Sequence, residues 1–287
     1  MSGPTRHVVD RDWGRLAYVR TGAGPPVVLL HSLALSASMW EPVLGEFAAA
    51  HDVVAIDLRG HGASTYDHRP FTVEDMAADV VGLLDDLGIE RAHVLGMSMG
   101  GSVATVLAAG HPGRVERLVL CDTTAWYGED APAQWRARAA AARRRPRELQ
   151  IPFQVDRWFA DGFRRHHPEI VSHVVGIFLR TDPRAHADAC LALGGLDARA
   201  GLGAVVAPTL VVTGEEDYAT PPAMGADLAA GIPSATAAVV AGLRHFAVVE
   251  SPALRRRILR HLGGGGDEAP PEPVDPCCGS VRGEEER

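Results

Sequence analysis

The chain has 287 residues, of which 46% are hydrophobic and 22% charged. That length suits one large domain or a domain with a sizeable insertion, and the composition excludes wholesale disorder. No run approaches the roughly 18 apolar residues of a membrane helix, and no apolar segment of secretory type follows Met1 to Arg6, so no membrane partner and a cytoplasmic location are expected. The formal net charge is −8 and every basic residue is arginine; a mildly acidic chain of this kind is not expected to bind nucleic acid.

Val8 to Arg20 predicts a hairpin of two short strands around Asp12-Trp13-Gly14. Continuous apolar runs at Pro26–His31 and Val53–Asp57 predict strands buried on both faces, as in a parallel sheet. Thr72 with an acid three residues on, Asp75, opens a helix whose apolar positions are Met76, Val80, Leu83, Leu84 and Leu87, and Gly88 ends it. His93–Gly96 predicts a third buried strand, Gly100–Gly110 a second helix and Val115–Cys121 a fourth strand. From about Thr124 to Gly203 strand patterning gives way to helical stretches at Gln134–Arg144, Arg147–Asp161, His167–Leu179 and His186–Leu193, punctuated by prolines. Alternation resumes with a strand at Pro208–Thr213, a helix opening at Pro221-Pro222, a strand at Thr236–Val240 and a helix at Pro252–Leu262.

This order predicts the α/β class. A mostly parallel, doubly wound sheet would be built from 1–123 and 204–262, with a helical cap inserted at 124–203. Residues 263–287 hold seven acids against two arginines and are rich in Gly and Pro, which predicts a disordered acidic tail. Cys121 and Cys190 stand alone and Cys277-Cys278 are adjacent. Neither arrangement has disulfide or metal-ligand spacing, so reduced thiols and no metal are expected.

Gly96-Met97-Ser98-Met99-Gly100-Gly101 satisfies G-x-S-x-G between a buried strand and a helix, the setting of a nucleophilic serine in a sharp turn. Its hydroxyl needs a base. Among 13 histidines, His245 lies between the last predicted strand and the last helix, at the sheet edge that displays Ser98. His31 and His93, in or beside strands, are weaker candidates, and His51, His111, His166 and His167 are expected in solvent. The orienting acid is expected at Asp217, after the strand ending near Val212, with Glu215 and Glu216 as solvated neighbours. Asp122, ending the strand before the cap, is its rival. Two backbone N–H groups must face the developing oxyanion; Met99, after the nucleophile, and Leu33, after the strand ending at His31, are in the right places.

Taken together, His31-Ser32-Leu33-Ala34, Asp57-Leu58-Arg59-Gly60-His61-Gly62-Ala63-Ser64, Gly96 to Gly101, and Gly214 to Asp217 with Pro221-Pro222 resemble the α/β-hydrolase superfamily across residues 7–262. The order Ser98, Asp217, His245 is that of the superfamily. Ser32-Leu33, Met39-Trp40, Leu120 to Thr123 and Arg157-Trp158-Phe159 are similar to the 3-oxoadipate enol-lactonases within it. The resemblance implies a cofactor-free serine hydrolase that opens a small lactone bearing a free carboxylate, through an acyl-enzyme. Arg136, Arg157 and Arg180 are then candidates to grip the carboxylate, Arg143-Arg144-Arg145 is expected as a solvated face, and Trp135 and Trp158 either wall the pocket or pack. A carboxylesterase, a C–C bond hydrolase or a perhydrolase would keep the same three residues, and a non-catalytic small-molecule sensor is the reading outside enzymes. Three departures from the lactonase pattern stand out: Ala34 where Gly is usual, His31 where Asn is frequent, and Arg244, a cation that would oppose imidazolium formation at His245 if it pointed inward.

Overall fold

The computed structural model describes residues 4–264, and the expected acidic tail beyond them, with Cys277-Cys278, lies outside the described residues. Eight strands form one sheet: β1 (Thr5–Arg11), β2 (Gly14–Gly22), β3 (Pro26–Leu30), β4 (Asp52–Asp57), β5 (Ala92–Met97), β6 (Val115–Cys121), β7 (Thr209–Gly214) and β8 (Ala235–Val240). Their order is β1-β2-β4-β3-β5-β6-β7-β8. The β1–β2 hairpin runs antiparallel along β4, and every pair from β4 to β8 is parallel. Strands β5 and β7 are buried along their whole length, so both faces of the sheet are covered at its centre, as the unbroken apolar runs require, while the edge strands β1 and β8 are largely exposed.

The helices are α1 (Glu41–Ala48), α2 (Val73–Asp86), α3 (Met99–Gly110), α4 (Ala131–Arg144), α5 (Ile151–Trp158), α6 (Asp161–His166), α7 (Pro168–Arg180), α8 (Pro183–Gly194), α9 (Pro222–Gly231), α10 (Ala247–Glu250) and α11 (Pro252–Leu262). The capping box at Thr72 is formed in both directions, with the Asp75 N–H bonded to the Thr72 hydroxyl and the Thr72 N–H to the Asp75 carboxylate. Helices α4 to α8 follow β6 as one helical insertion before β7, and α4 packs along α8.

Two expectations need correction. Arg147–Asp161 is not one helix: a 3-10 turn at Arg147–Gln150 leads into α5, and the chain is extended at Phe159 before α6 begins. Pro152 near the N-terminus of α5 suits a helix start. The far end stops because the Trp158 carbonyl accepts from the Phe246 N–H at 3.0 Å and Phe159 is fully buried beside Phe246. A tertiary contact outcompetes helical continuation there. His51 is also buried rather than solvated, its ring edge-on to His93. Among the described residues, no helix is long and apolar enough to cross a membrane.

Candidate active site

The parallel strands end on one edge, where the ligands of open α/β sheets bind. Strand β5 delivers Ser98 there in a strained conformation, φ +54° and ψ −118°, immediately before α3. The sharp reversal brings strand and helix so close that a Cβ at position 96 or 100 would collide with backbone, at Gly100 and Leu30 respectively. Glycine is required at both positions.

Ser98, His245 and Asp217 meet at this edge. The Ser98 hydroxyl donates to His245 Nε2 at 2.8 Å, and His245 Nδ1–H donates to Asp217 Oδ2 at 2.8 Å. A carboxylate only accepts, so the neutral ring carries its proton on Nδ1 and leaves Nε2 free as a base. The Asp217 carboxylate also accepts from the Ala219 N–H (2.7 Å), the Thr220 N–H (3.1 Å) and the Thr220 hydroxyl (2.7 Å). Burial resists its charge, but His245 and these donors outweigh burial and hold the carboxyl below the usual range.

Asp122 has a different environment. It ends β6 at φ +50°, fully buried, and its oxygens accept from the Gly214 N–H (2.9 Å) and the Ala247 N–H (3.2 Å). Burial, reinforced by the nearby Asp217 charge, pushes its carboxyl well up. It fastens the chain segments that carry Asp217 and His245.

The N–H groups of Leu33 and Met99 make no hydrogen bond among the described residues. Leu33 lies in a loop held by two neutral histidines. The Leu58 N–H donates to His31 Nε2 at 3.0 Å and the Ala34 N–H to His61 Nε2 at 3.3 Å. Their Nδ1–H groups donate to the Ser32 and Arg59 carbonyls. Burial lowers His31 to about 4 and His61 to about 3. Ala34 adopts φ +60°, which accounts for Gly being usual at this position.

A family model described as alpha/beta hydrolase fold matches residues 25–182. This chain belongs to the alpha/beta hydrolases. The hydrolase is 32% identical over 228 residues to 3-oxoadipate enol-lactonase 2 of Acinetobacter baylyi, an alignment covering 79% of this chain and 84% of that one. Among solved structures, it is similar to the enol-lactonase from Burkholderia xenovorans (TM-score 0.85, 32% identity, 90% of this chain and 100% of that one). It is also similar to a thermophilic esterase from Thermogutta terrifontis, solved with malate bound (TM-score 0.81, 30% identity, 90% and 99%).

Over Ser98 the hydrolase has a small cavity walled from the insertion by Tyr127, Trp135, Arg138, Arg157 and Trp158. Both tryptophans line it: Trp135 packs edge-on to Tyr127, and Trp158 is stacked on Phe246. Of the three candidate arginines, only Arg157 lines this cavity. Arg136 is exposed, and Arg180 lines grooves elsewhere, beside Thr181. Arg138 and Tyr127 were not predicted by the sequence; Arg138 shares a helix face with Trp135 at i,i+3 spacing, a signal usable only once Trp135 is known to face inward. Arg244 turns away from His245. Its guanidinium donates to the Asp156 carbonyl (2.7 Å) and carboxylate (2.9 Å), also approaching Asp161 and Glu216. Among the described residues, no cluster of three or more His, Cys, Asp or Glu could hold a metal ion.

Proposed function

We propose that this hydrolase opens a small carboxylic ester or lactone, of the carboxylated enol-lactone type, with Ser98 as nucleophile, His245 as general base and Asp217 as its orienting acid. Ser98 Oγ attacks the carbonyl carbon as His245 Nε2 takes its proton. The imidazolium that forms is stabilised by Asp217. The Leu33 and Met99 N–H groups receive the oxyanion of the tetrahedral intermediate. Collapse expels the alkoxide or enolate, protonated by His245, and leaves Ser98 acylated. For an enol-lactone the released enol tautomerises to a ketone. Water, deprotonated by His245, then attacks the ester and frees Ser98. The insertion at 124–203 acts as the cap that walls this reaction from solvent, and no cofactor takes part.

The observation that carries the reading is the continuous chain from Ser98 Oγ through both His245 nitrogens to Asp217, each link 2.8 Å, beside two unused backbone donors. The similarity to lactonases supports a lactone substrate, and the thermophilic esterase favours a carboxylesterase as the second reading. Loss of enol-lactone absorbance, compared with hydrolysis of a short neutral aryl ester, separates the two. Rapid ester turnover with no lactone turnover removes the lactone. Ser98→Ala is expected to lower kcat by about 10³-fold or more on either substrate with an unchanged circular dichroism spectrum, and undiminished turnover would refute the nucleophile.

A further inference from the structure

Leu33, whose N–H is proposed as an oxyanion donor, is followed by Ala34 at φ +60°. Side chains with a Cβ resist that conformation, so it persists only where neighbours hold it. Two side chains do so here. His61 Nε2 accepts from the Ala34 N–H at 3.3 Å, and the Ala34 carbonyl accepts from the Thr181 hydroxyl at 2.8 Å. The first bond fixes the peptide plane before the Ala34 Cα and the second fixes the plane after it. His61 comes from the core, just after β4, whereas Thr181 comes from the insertion, buried between α7 and α8.

We propose that Thr181 is a positioning residue for the oxyanion hole: from the insertion, its hydroxyl holds the Ala34 carbonyl and thereby aims the Leu33 N–H at the carbonyl oxygen of an ester bound at Ser98. The inference rests on the hydrolase reading of Ser98 and deepens it, because the insertion then shapes the oxyanion hole as well as walling the pocket.

The Thr181 hydroxyl has a local alternative. It lies 3.2 Å from the Ile177 carbonyl, one turn back in α7, a bond that Thr commonly makes within a helix. A hydroxyl carries one proton, and its shorter contact is to Ala34. A second tie runs from the same helix. His173 Nε2 lies 2.8 Å from the Ser38 carbonyl; a carbonyl only accepts, so that nitrogen carries the proton. Between these two ties α7 packs against the 3-10 turn Ala37–Trp40. The helix thus spans residues 34–38 and grips the loop at both ends.

Burial decides what loss of the hydroxyl would do. Ala34 is 1% exposed, so water does not readily replace Thr181, and a stranded buried carbonyl favours rotation of its peptide plane. Leu33 is the adjacent residue. An oxyanion donor acts only when aimed at the place where charge develops, so a small rotation lowers the rate of attack more than the binding of an uncharged ester.

The test uses the full chain. Thr181→Val keeps the shape and removes the hydroxyl, while Thr181→Ser keeps the hydroxyl. With p-nitrophenyl acetate, Thr181→Val is expected to lower kcat about tenfold or more with KM within about twofold, and Thr181→Ser to recover kcat to within about threefold. Propylboronic acid, whose boron takes Ser98 Oγ and presents a tetrahedral oxygen to the same donors, should bind Thr181→Val more weakly by a similar factor. Thr181→Ala, which lacks the same hydroxyl, replaces Thr181→Val if that variant does not fold. Tyr66→Phe cuts a comparable buried bond between core and insertion, Tyr66 to Asp188 at 2.7 Å, and should leave kcat and boronate affinity within about twofold. Amide exchange at Ala34 and Leu35, whose N–H groups bond to His61 and to the Ser32 carbonyl, should quicken about tenfold in Thr181→Val and not in Thr181→Ser. Unmoved kcat in Thr181→Val, a fall in kcat without a fall in boronate affinity, no recovery in Thr181→Ser, or equal defects in Tyr66→Phe would each overturn the proposal. If the unaltered protein neither hydrolyses the ester nor binds the boronate, the hydrolase reading falls, and the exchange rates alone decide whether Thr181 holds the Leu33 loop.

Discussion

Asp217 and Asp122 both stand near the His245 loop, and their surroundings assign them different work. Asp217 accepts four hydrogen bonds, including the one from His245, and is held ionised; Asp122 accepts two backbone N–H groups in full burial, with its carboxyl pushed up. Asp217→Asn replaces an acceptor with an amide and favours the wrong imidazole tautomer, which predicts a fall in kcat of about 10³- to 10⁴-fold with little change in stability. Asp122→Asn keeps one of the two acceptor oxygens and should leave kcat within about threefold, whereas Asp122→Ala strands both buried N–H groups and should cost about 1–3 kcal/mol. Kinetics and chemical denaturation of the three variants check this. A severe kinetic defect in Asp122→Asn with a mild one in Asp217→Asn would exchange their roles. The choice between these acids was open in the sequence because both follow strand ends. Only the hydrogen bonds separate them.

At the level of elements, strand ends were legible because buried parallel strands read as unbroken apolar runs, and Ser98 and Asp217 follow such runs, whereas His245 follows the largely exposed edge strand β8. The insertion was legible in class but not in detail. Helical periodicity marks a helix without saying which face meets a cavity, so Arg136 was as good a candidate as Arg138. Tertiary hydrogen bonds also cut the α5–α6 stretch where local propensity continues. Those same bonds join the insertion to the His245 loop: Phe246 N–H to the Trp158 carbonyl, Ala160 N–H to the Glu250 carboxylate at 3.2 Å, and Arg244 to Asp156. Residues 156–160 carry Arg157 and Trp158 into the cavity over Ser98, so Arg244 is expected to position that wall. Arg244→Ala is expected to raise KM about three- to tenfold while kcat moves less than twofold, with partial recovery in Arg244→Lys, which retains one donor. Exposure of Asp156 keeps the expected effect modest. Steady-state kinetics on one ester decide it: a fall in kcat at constant KM would place Arg244 at the chemical step instead.

Across the whole molecule, buried titratable groups set a pH optimum for stability that no local motif announces. Burial lowers His31 to about 4, His61 to about 3 and His93 to about 4, and depresses His186 strongly. Each binds its proton more weakly folded than unfolded, where histidine titrates near 6.5. Their contribution is therefore complete above about pH 6.5 and is lost as pH falls from there towards 4, at up to about 1.4 kcal/mol per histidine per pH unit. Glu250 works in the opposite sense. Burial raises it to about 8, so folding holds its proton and the associated stability is lost as pH rises from about 4.5 through 8. Asp122, raised for the same reason, adds to that limb. Four histidines outweigh two carboxyls between pH 4.5 and 6.5, and only the carboxyls act above it, so Tm should peak between about pH 6 and 7 and fall on both sides. Glu250→Gln should flatten the alkaline limb and leave the acidic one, while His61→Gln, which keeps a donor and an acceptor under the Leu33 loop, should shallow the acidic limb. A Tm at pH 5 equal to that at pH 7 would show that these histidines do not stay neutral inside the fold.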